Sequence, residues 1–153
     1  MQNKVTIHPF EKKYALYFET LNRAWIEKYF WMEPIDFEVL QKPEENILQQ
    51  GGKILFAEVQ NEIVGTVALK KVNHSTFEFT KMAVDEKHQG KKIGWQLTEA
   101  ALTLAKQEGA TEVILYSNTK LASAIHLYRK FGFVEVPVDG PYKRSDIKKR
   151  IAL

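Results

Sequence analysis

The sequence predicts a mixed α/β fold in which about seven strands form one central sheet and about four helices flank it. Apolar residues recur at three- and four-residue steps before Gly51-Gly52, whereas beyond that pair they alternate or form β-branched runs. A strand–helix–strand unit at the centre of the chain requires one parallel pair of strands within a mixed sheet. The predicted element order is β-αα-ββ-β-α-β-α-ββ, in a single domain that spans residues 1–153.

The first third of the chain contains a short strand and two helices. Aromatic and aliphatic residues recur at helical spacing between 11 and 30, which predicts the first helix. The second helix ends before Pro43, because a proline disfavours helical backbone in the residue that precedes it. The predicted elements are a strand at 5–7, helices at 11–30 and 35–40, and a further turn at 43–50.

Strands dominate the segment that follows Gly51-Gly52. Two apolar, β-branched runs flank the turn Gln60-Asn61-Glu62 and predict an antiparallel hairpin. A third run, which ends just before a charged turn, predicts the next strand. The predicted strands of this segment are 54–59, 63–70 and 76–84.

The remainder of the chain alternates helices with strands. Gly109 and Gly132 end the two helices, because glycine readily adopts the left-handed conformation that closes a helix. Asn118 or Thr119 can cap the second helix. The predicted elements are a helix from 93 to the stop at 109, a strand at 111–116, a helix at 120–131, and a last hairpin of 133–138 with 142–151. The basic tail at 142–150 predicts a solvated strand at the sheet edge.

Composition excludes several classes of protein. The chain has no cysteine, which excludes disulfides, thiolate zinc sites and cysteine nucleophiles. Its net charge of +3 is spread along the sequence, without the basic stripe of a nucleic-acid binder. Its four histidines lack metal-ligand spacing, so we expect no metal site. Charges interrupt the first thirty residues, which argues against a secretory or membrane-spanning segment and predicts a cytoplasmic protein.

The stretch from 77 to 95 carries the strongest functional signal. An aromatic-rich strand runs through a charged turn, Gln89-Gly90-Lys91-Lys92-Ile93-Gly94, directly into a helix. The first N–H groups of a helix lack intrahelical partners and carry partial positive charge, and a glycine-containing turn lets a phosphate approach them closely. The junction therefore predicts a phosphate-binding site.

Glu78 lies within the same strand, where a charge needs an explanation. Alternation predicts two faces for the strand, with Thr76, Glu78, Thr80 and Met82 on one and Phe77, Phe79, Lys81 and Ala83 on the other. A carboxylate inside a central strand must be solvated, be paired with another group, or have a functional role. Glu78 is therefore either a catalytic group or a solvated or ion-paired carboxylate, with Lys70 or Lys81 as its candidate partner.

Four segments together resemble the GNAT superfamily of acyl-CoA-dependent N-acetyltransferases: the strand at 77–84, the turn at 89–94, Ser117-Asn118, and the run at 127–133. The resemblance is strong over residues 54–136, and the element order agrees with that fold. It implies a central, mostly antiparallel twisted sheet. It also implies transfer of an acetyl group from acetyl-CoA, the co-substrate, to a primary amine by direct attack in a ternary complex, without a metal.

The resemblance implies how the cofactor is bound. The family pattern in the turn is Gln/Arg-x-x-Gly-x-Gly/Ala; Gln89 and Gly94 match it, whereas Lys92 stands where the middle glycine usually lies. Lys92 brings a Cβ to that place, so one amide contact or the local φ is expected to differ. The side chains of Lys91 and Lys92 are either phosphate contacts or parts of a solvated turn. The implied cofactor-binding residues are Met82, Ala83, Val84, Gln89, Gly90, Lys91, Lys92, Ile93, Gly94, Trp95, Asn118 and Tyr128.

Three residues are implied to act in catalysis. Glu78 is the implied general base, directly or through water, Tyr128 the implied proton donor to the departing CoA thiolate, and a backbone N–H near Met82 the implied oxyanion donor. Each has a plainer alternative: an ion-paired carboxylate, an interfacial core tyrosine and a core methionine, respectively. Asn118 either contacts the amide arm of the cofactor or caps the following helix.

The acceptor is the least defined part of the prediction. In similar proteins the first helices wall the acceptor pocket, so Trp25, Tyr29 and Phe30 are expected to contact substrate unless they belong to the core. The expected partner is a small-molecule or peptide amine, with no nucleic acid and no membrane, and a homodimer is one state that the resemblance implies. The alternative from another class is a catalytically idle GNAT-like module that senses acyl-CoA or binds a protein. The presence of both Glu78 and Tyr128 favours the enzyme.

Overall fold

One sheet of seven strands runs through the part of the chain that the computed structural model describes, residues 4–153. The strands are β1 (Val5–Pro9), β2 (Lys53–Val59), β3 (Glu62–Asn73), β4 (Thr76–Val84), β5 (Glu112–Ser117), β6 (Val134–Val136) and β7 (Ile147–Ala152). Their order across the sheet is β1-β2-β3-β4-β5-β7-β6. In these residues the β4–β5 pair is parallel and every other pair is antiparallel. The predicted mixed α/β class and single parallel pair are confirmed.

Helices cover both faces of the sheet. One layer contains α1 (Ala15–Tyr29) and α2 (Pro34–Gln41), and the other contains α3 (Ile93–Gln107) and α4 (Ala122–Phe131). The first layer buries Phe18, Ile26, Leu40 and Phe56, and the second buries Phe77, Phe79, Leu97 and Tyr128. Short 3₁₀ helices lie at Lys12–Tyr14 and Glu86–His88, and a π-helical turn lies at Glu44–Leu48. The predicted element order is confirmed, with boundaries shifted by one to a few residues.

The β2–β3 hairpin follows from its turn. Val59 pairs with Glu62, so Gln60 and Asn61 alone form the loop, with φ angles of +49° and +66°. A two-residue turn with both φ angles positive matches the right-handed twist of the strands that it joins. The predicted hairpin is confirmed, although Glu62 already belongs to β3.

A β-bulge in β4 sets the direction of side chains at the centre of the sheet. Between Thr80 and Ala83, β4 has two residues where β3 has one, and Lys81 has a φ of +55°. The extra residue reverses the alternation beyond Thr80. The predicted faces were therefore wrong for three residues. Lys81 lies on the α2 side with Glu78, Met82 packs on the α3 side, and Ala83, which pairs with Thr66, lies on the face of Thr80.

The C-terminal strands differ from the predicted hairpin in their position. β7 inserts between β5 and β6, so the prediction of a solvated edge strand for the basic tail was wrong. Lys149 within β7 is only 4% exposed. β6 and β7 pair antiparallel as predicted, but the longer segment 137–146 connects them. This connection places Tyr142 and Arg144 beside β4 and α2.

Candidate active site

A cleft opens where β4 and β5 part. Their pairing ends at Phe79 and Leu115, and residues 80–84 have no partner on β5 in the described register. A cavity of about 950 Å³ lies at this point. Its walls are the end of β4, the turn before α3, the first part of α4, the end of α1 and residues 142–145.

Most of the residues predicted to bind cofactor or substrate line this cleft. They are Trp25, Tyr29, Phe30, Met82, Ala83, Val84, Gln89, Gly90, Lys92, Ile93, Gly94, Trp95, Asn118 and Tyr128. Glu78 and Lys91 are the two predicted residues outside its lining. The Nζ of Lys91 lies 3.3 Å from Nδ1 of His88. Glu78 is hydrogen-bonded to Tyr142, which does line the cleft.

The turn before α3 keeps a glycine-type backbone despite its lysine. Lys92 is the N-cap of α3 with a φ of +62°, and Gly90 has a φ of +83°. The expected difference in one amide contact or in the local φ stays a prediction, and the left-handed conformation costs the lysine about 1–2 kcal/mol. Thr98 donates to the carbonyl oxygen of Gly94 at 2.7 Å and lies 3.6 Å from the sulfur of Met82. These contacts fix the first turn of α3 against the end of β4.

Tyr128 combines a ring packed in the core with a place on the cleft wall. Its ring packs edge-on against Phe79 and Phe133, with centroid distances of 5.8 Å and 5.7 Å. The residue is 7% exposed and lines the cleft. Burial raises the pKa of the phenol well above its ordinary value. The phenol therefore keeps its proton at neutral pH.

Asn118 ties the end of β5 to the connection between β6 and β7. Its Nδ2 donates to the carbonyl oxygen of Arg144 at 2.6 Å, and its Oδ1 accepts from the backbone N–H of Lys120 at 2.9 Å. α4 begins without a side-chain cap. The alternative of a helix cap by Asn118 or Thr119 was therefore wrong, because Asn118 closes a turn that precedes the helix.

Glu78 is buried and hydrogen-bonded to a tyrosine that the sequence did not single out. It is 4% exposed, and its Oε2 accepts from the hydroxyl of Tyr142 at 2.8 Å. Burial raises the pKa of Glu78, although the Tyr142 hydrogen bond and the charges of Lys70 and Lys81 oppose the change. Within residues 4–153 Glu78 forms no ion pair, since Lys81 binds elsewhere. Tyr142 lines the cleft and so stands between Glu78 and the cavity.

A buried ionic cluster, which we define as Glu33, Asp36, Lys81 and Arg144, lies beside this pair. Asp36 is fully buried and accepts from Nζ of Lys81 at 2.8 Å and from both terminal nitrogens of Arg144, the second at 2.7 Å. Glu33 accepts from Nη1 of Arg144 at 3.0 Å. The side chains of Lys81 and Arg144 are 2% and 9% exposed. Two positive charges thus balance two negative charges inside the protein.

The start of α2 explains why both carboxylates point into this cluster. The backbone N–H of Glu33 donates to Oδ2 of Asp36 at 2.9 Å, the side chain of Glu33 accepts from the backbone N–H of Asp36 in return, and Pro34 occupies the first helical turn. This is a capping box with acidic residues at both positions. An acidic pair at this spacing around a proline was the sequence signal for these two residues.

The charges of the cluster shift the pKa values of its members. Burial raises the pKa of Asp36, but the hydrogen bond from Arg144 and the charge of Lys81 outweigh burial and hold it below its usual range. Burial lowers the pKa of Lys81, and Asp36 opposes this only in part. Asp36 is therefore the ionised centre on which both cations depend.

The far end of the cleft is walled by aromatic rings. Trp25 and Phe30 of the first helical layer stand edge to face, with ring centroids 6.3 Å apart. The guanidinium of Arg144 lies 6.0 Å from the ring of Trp25, and Nζ of Lys120 lies 5.5 Å from the ring of Phe30. Tyr29 is half exposed at the same end.

No cluster of three histidine, aspartate or glutamate side chains in residues 4–153 is suited to hold a metal ion. In the same part of the chain no helix has the length and apolar character needed to cross a membrane.

Comparison with known sequences identifies one family. A model of the Acetyltransferase (GNAT) family matches residues 14–133. The chain is 30% identical to Spermidine N(1)-acetyltransferase of Escherichia coli (strain K12) over 141 residues, which cover 86% of this chain and 73% of that protein. It also matches mammalian N-acetyltransferases of the family 8 type, and it spans about half or less of their length, 49% and 36% in two examples.

Solved structures share the fold. An acetyltransferase of the GNAT family from Staphylococcus aureus Mu50 gives a TM-score of 0.89 at 20% identity, covering 97% of this chain and 99% of that chain. The PaiA N-acetyltransferase from Thermoplasma acidophilum, in complex with coenzyme A, gives a TM-score of 0.78 at 20% identity, covering 98% and 99%. At this identity the likeness shows the fold alone.

Replacing Asp36 with asparagine should lower the free energy of unfolding by about 3–5 kcal/mol, because Lys81 and Arg144 would keep buried charges without their shared carboxylate. Equilibrium urea unfolding measures the change. Glu38→Gln on the same helix is the matched control, because its 3.9 Å contact with Lys42 is exposed and should be worth less than about 0.5 kcal/mol. An Asp36→Asn protein as stable as the control would contradict the role of the cluster.

Proposed function

The chain belongs to the GNAT family of acetyltransferases, and from this premise we propose that it transfers an acetyl group from acetyl-CoA to a primary amine. The proposal rests on the cleft between β4 and β5. One end holds a helix N-terminus, which suits phosphate groups, and the other end holds a tyrosine backed by a buried carboxylate, which suits deprotonation of an amine.

Acetyl-CoA lies along the edge of β4 that β5 leaves unpaired. In this arrangement the backbone of Met82, Ala83 and Val84 pairs with the pantetheine arm, like an added strand. The N–H groups of residues 89–95 bind the pyrophosphate at the start of α3. The Thermoplasma acidophilum structure contains coenzyme A, which supports the choice of cofactor.

Glu78 acts as the general base through Tyr142. An amine like that of lysine keeps its proton at pH 7, and removing the proton costs about 5 kcal/mol. Before the amine attacks, its ammonium proton passes to the oxygen of Tyr142 while the Tyr142 proton crosses the 2.8 Å hydrogen bond to Glu78, so the tyrosine ends neutral. The second N–H proton, which the nitrogen loses as the amide forms, leaves to solvent. The pKa of Glu78 is raised by burial, which makes the carboxylate a stronger base for this step.

Met82 and Tyr128 stabilise the two negative charges that the reaction creates. The amine nitrogen bonds to the acetyl carbon and the thioester C–S bond breaks, while the backbone N–H of Met82 donates to the carbonyl oxygen. Tyr128 gives its proton to the departing thiolate and then recovers one from solvent. With ordinary pKa values this transfer is uphill by about 2 kcal/mol. Burial raises the pKa of the phenol further, so the transfer depends on close placement of the phenol against the departing sulfur.

Acetyl-CoA binding and thiol release test the proposal against the idle sensor. At a hundred times its dissociation constant, acetyl-CoA should raise the melting temperature by roughly 5–10 °C. Free thiol should then appear when a broad panel of amines is added. Binding without thiol release from any amine would favour the sensor, and no binding at all would contradict both functions.

Glu78→Gln should separate catalysis from stability. Activity should fall by about 100-fold or more, because the amide cannot accept the proton. Stability should rise at pH 8, since glutamine keeps the acceptor for Tyr142 and removes a buried charge. Burial raises the pKa of folded Glu78 above its unfolded value, so the cost of ionisation exists only at higher pH and the gain should shrink toward pH 4.

Thermal unfolding between pH 4 and 8 measures the stability of Glu78→Gln, and thiol release measures its activity. The matched control is Glu99→Gln, which changes an exposed glutamate on α3 outside the cleft. Tyr142→Phe should lower activity by a similar factor, because it removes the hydroxyl that relays the proton. Retention of more than a tenth of the activity in Glu78→Gln would contradict its role as base.

Tyr128→Phe should lower kcat by about 100-fold and leave the affinity for acetyl-CoA nearly unchanged, because only the proton donor is lost. Phenylalanine keeps the ring contacts with Phe79 and Phe133. Steady-state thiol release and calorimetric titration with CoA measure the two effects. Tyr17→Phe, at an exposed position of α1, is the control. Full activity in Tyr128→Phe would exclude this tyrosine as the acid.

A further inference from the structure

The end of the cleft that receives the acceptor presents cations and aromatic rings without a carboxylate. We define this acceptor end as Trp25, Tyr29, Phe30, Lys120, Tyr142 and Arg144. Among the described residues, no aspartate or glutamate lines any part of the cavity. An acceptor bound there meets positive charge and apolar surface.

The nearest carboxylates already have partners and lie behind these residues. Glu33 and Asp36 accept from Arg144 and Lys81 inside the buried ionic cluster. Glu78 accepts from Tyr142. A second ammonium group on an acceptor would therefore enter a cleft in which every ionised side chain that lines it is a cation. Such a charge would lose its hydration without gaining a counter-ion, which disfavours polyamines.

Lys120 supplies the positive charge that is not already balanced. The guanidinium of Arg144 is neutralised by two carboxylates, whereas Lys120 forms no ion pair within residues 4–153. It is exposed, and its Nζ lies 5.5 Å from the ring of Phe30. This places an available cation beside the aromatic wall. Lys92 and Lys130 also line the cavity, but neither belongs to the acceptor end. Lys92 lies in the turn that receives the pyrophosphate, and Lys130 lies in the last turn of α4.

We propose that the acceptor is a small amine that carries its own carboxylate, as in a free α-amino acid with an apolar side chain. The carboxylate pairs with Lys120, the side chain packs against Trp25 and Phe30, and the amine faces Tyr142. The inference rests on the proposed acetyl transfer, whose products would be an N-acetylamino acid and CoA. It separates this chain from its Escherichia coli relative, which is named for the polycation spermidine.

Matched acceptors test the carboxylate directly. Thiol release is measured with the free amino acids, with the carboxamides of the best of them, and with spermidine. The free acid should exceed its carboxamide at least tenfold in kcat/KM, and spermidine should be a poorer substrate than the acid. The loss of a carboxylate lowers the pKa of the neighbouring amine, so the carboxamide has more free base. A preference for the acid therefore reports binding and not reactivity.

Lys120→Gln tests whether this residue binds the carboxylate of the acceptor. The variant should reduce the acid-to-carboxamide ratio to about threefold or less, and the KM for acetyl-CoA should change by less than about threefold. Lys106→Gln removes the same charge from an exposed site of α3 outside the cleft and should keep the wild-type ratio. Melting temperatures of both variants verify that they fold.

The outcomes separate this inference from the function on which it rests. Equal or better use of carboxamides or spermidine would overturn the inference and leave acetyl transfer intact. An unchanged ratio in Lys120→Gln, or a raised KM for acetyl-CoA alone, would also overturn it, because Lys120 would then serve the cofactor. Acetyl-CoA binding without thiol release from any amine would remove the proposed function and the inference together.

Discussion

The ion pairs around Asp36 hold three distant parts of the chain in one arrangement. This fully buried carboxylate binds Lys81 of β4 and Arg144 of the β6–β7 connection, which are 45 and 108 residues away in sequence. Without it, the buried charges of Lys81 and Arg144 would lose the carboxylate that they share. Because α2, β4 and the connection meet there, the same contacts set the position of Tyr142 and of the aromatic wall. The acceptor end of the cleft therefore depends on this cluster, with which it shares Arg144.

The bulge at Lys81 lets one strand serve both the cluster and the cleft. Without the extra residue, Lys81 would point toward α3 and Met82 toward α2, and the buried carboxylate would lose a partner. With it, Lys81 reaches Asp36 while Met82 packs against Thr98 at the start of α3. The bulge also leaves Lys81 and Met82 without register partners. A single left-handed residue thus couples the interior charges to the strand edge that the proposed cofactor would occupy.

Stability and activity make opposite demands on the buried polar groups beside the cleft. The ionic cluster is balanced, with two carboxylates facing two cations. Glu78 accepts from the hydroxyl of Tyr142 but forms no ion pair within residues 4–153, and burial raises its pKa. A carboxylate in this state costs folding energy, which is typical of a group retained for chemistry. Lys92 also carries an energetic cost beside the cleft. Its left-handed backbone is strained for lysine, and it keeps the glycine-type shape of the phosphate turn.

The sequence by itself determined the element order, the parallel β4–β5 pair and the turn at 89–95, because these follow from local periodicity and from residues that end helices and strands. It also singled out Glu78 from its place in a central strand and Tyr128 from its helix position and the family resemblance, and their catalytic roles stay predictions. Only the tertiary structure decided that Tyr142 covers Glu78 and that Arg144 joins Asp36, since β7 inserts between β5 and β6 and carries the preceding connection to them. The faces of Lys81 and Met82 could not be predicted from the sequence either. Alternation assumes an uninterrupted strand, and one extra residue, fixed by pairing with β3 and by the distant carboxylate of Asp36, reverses it.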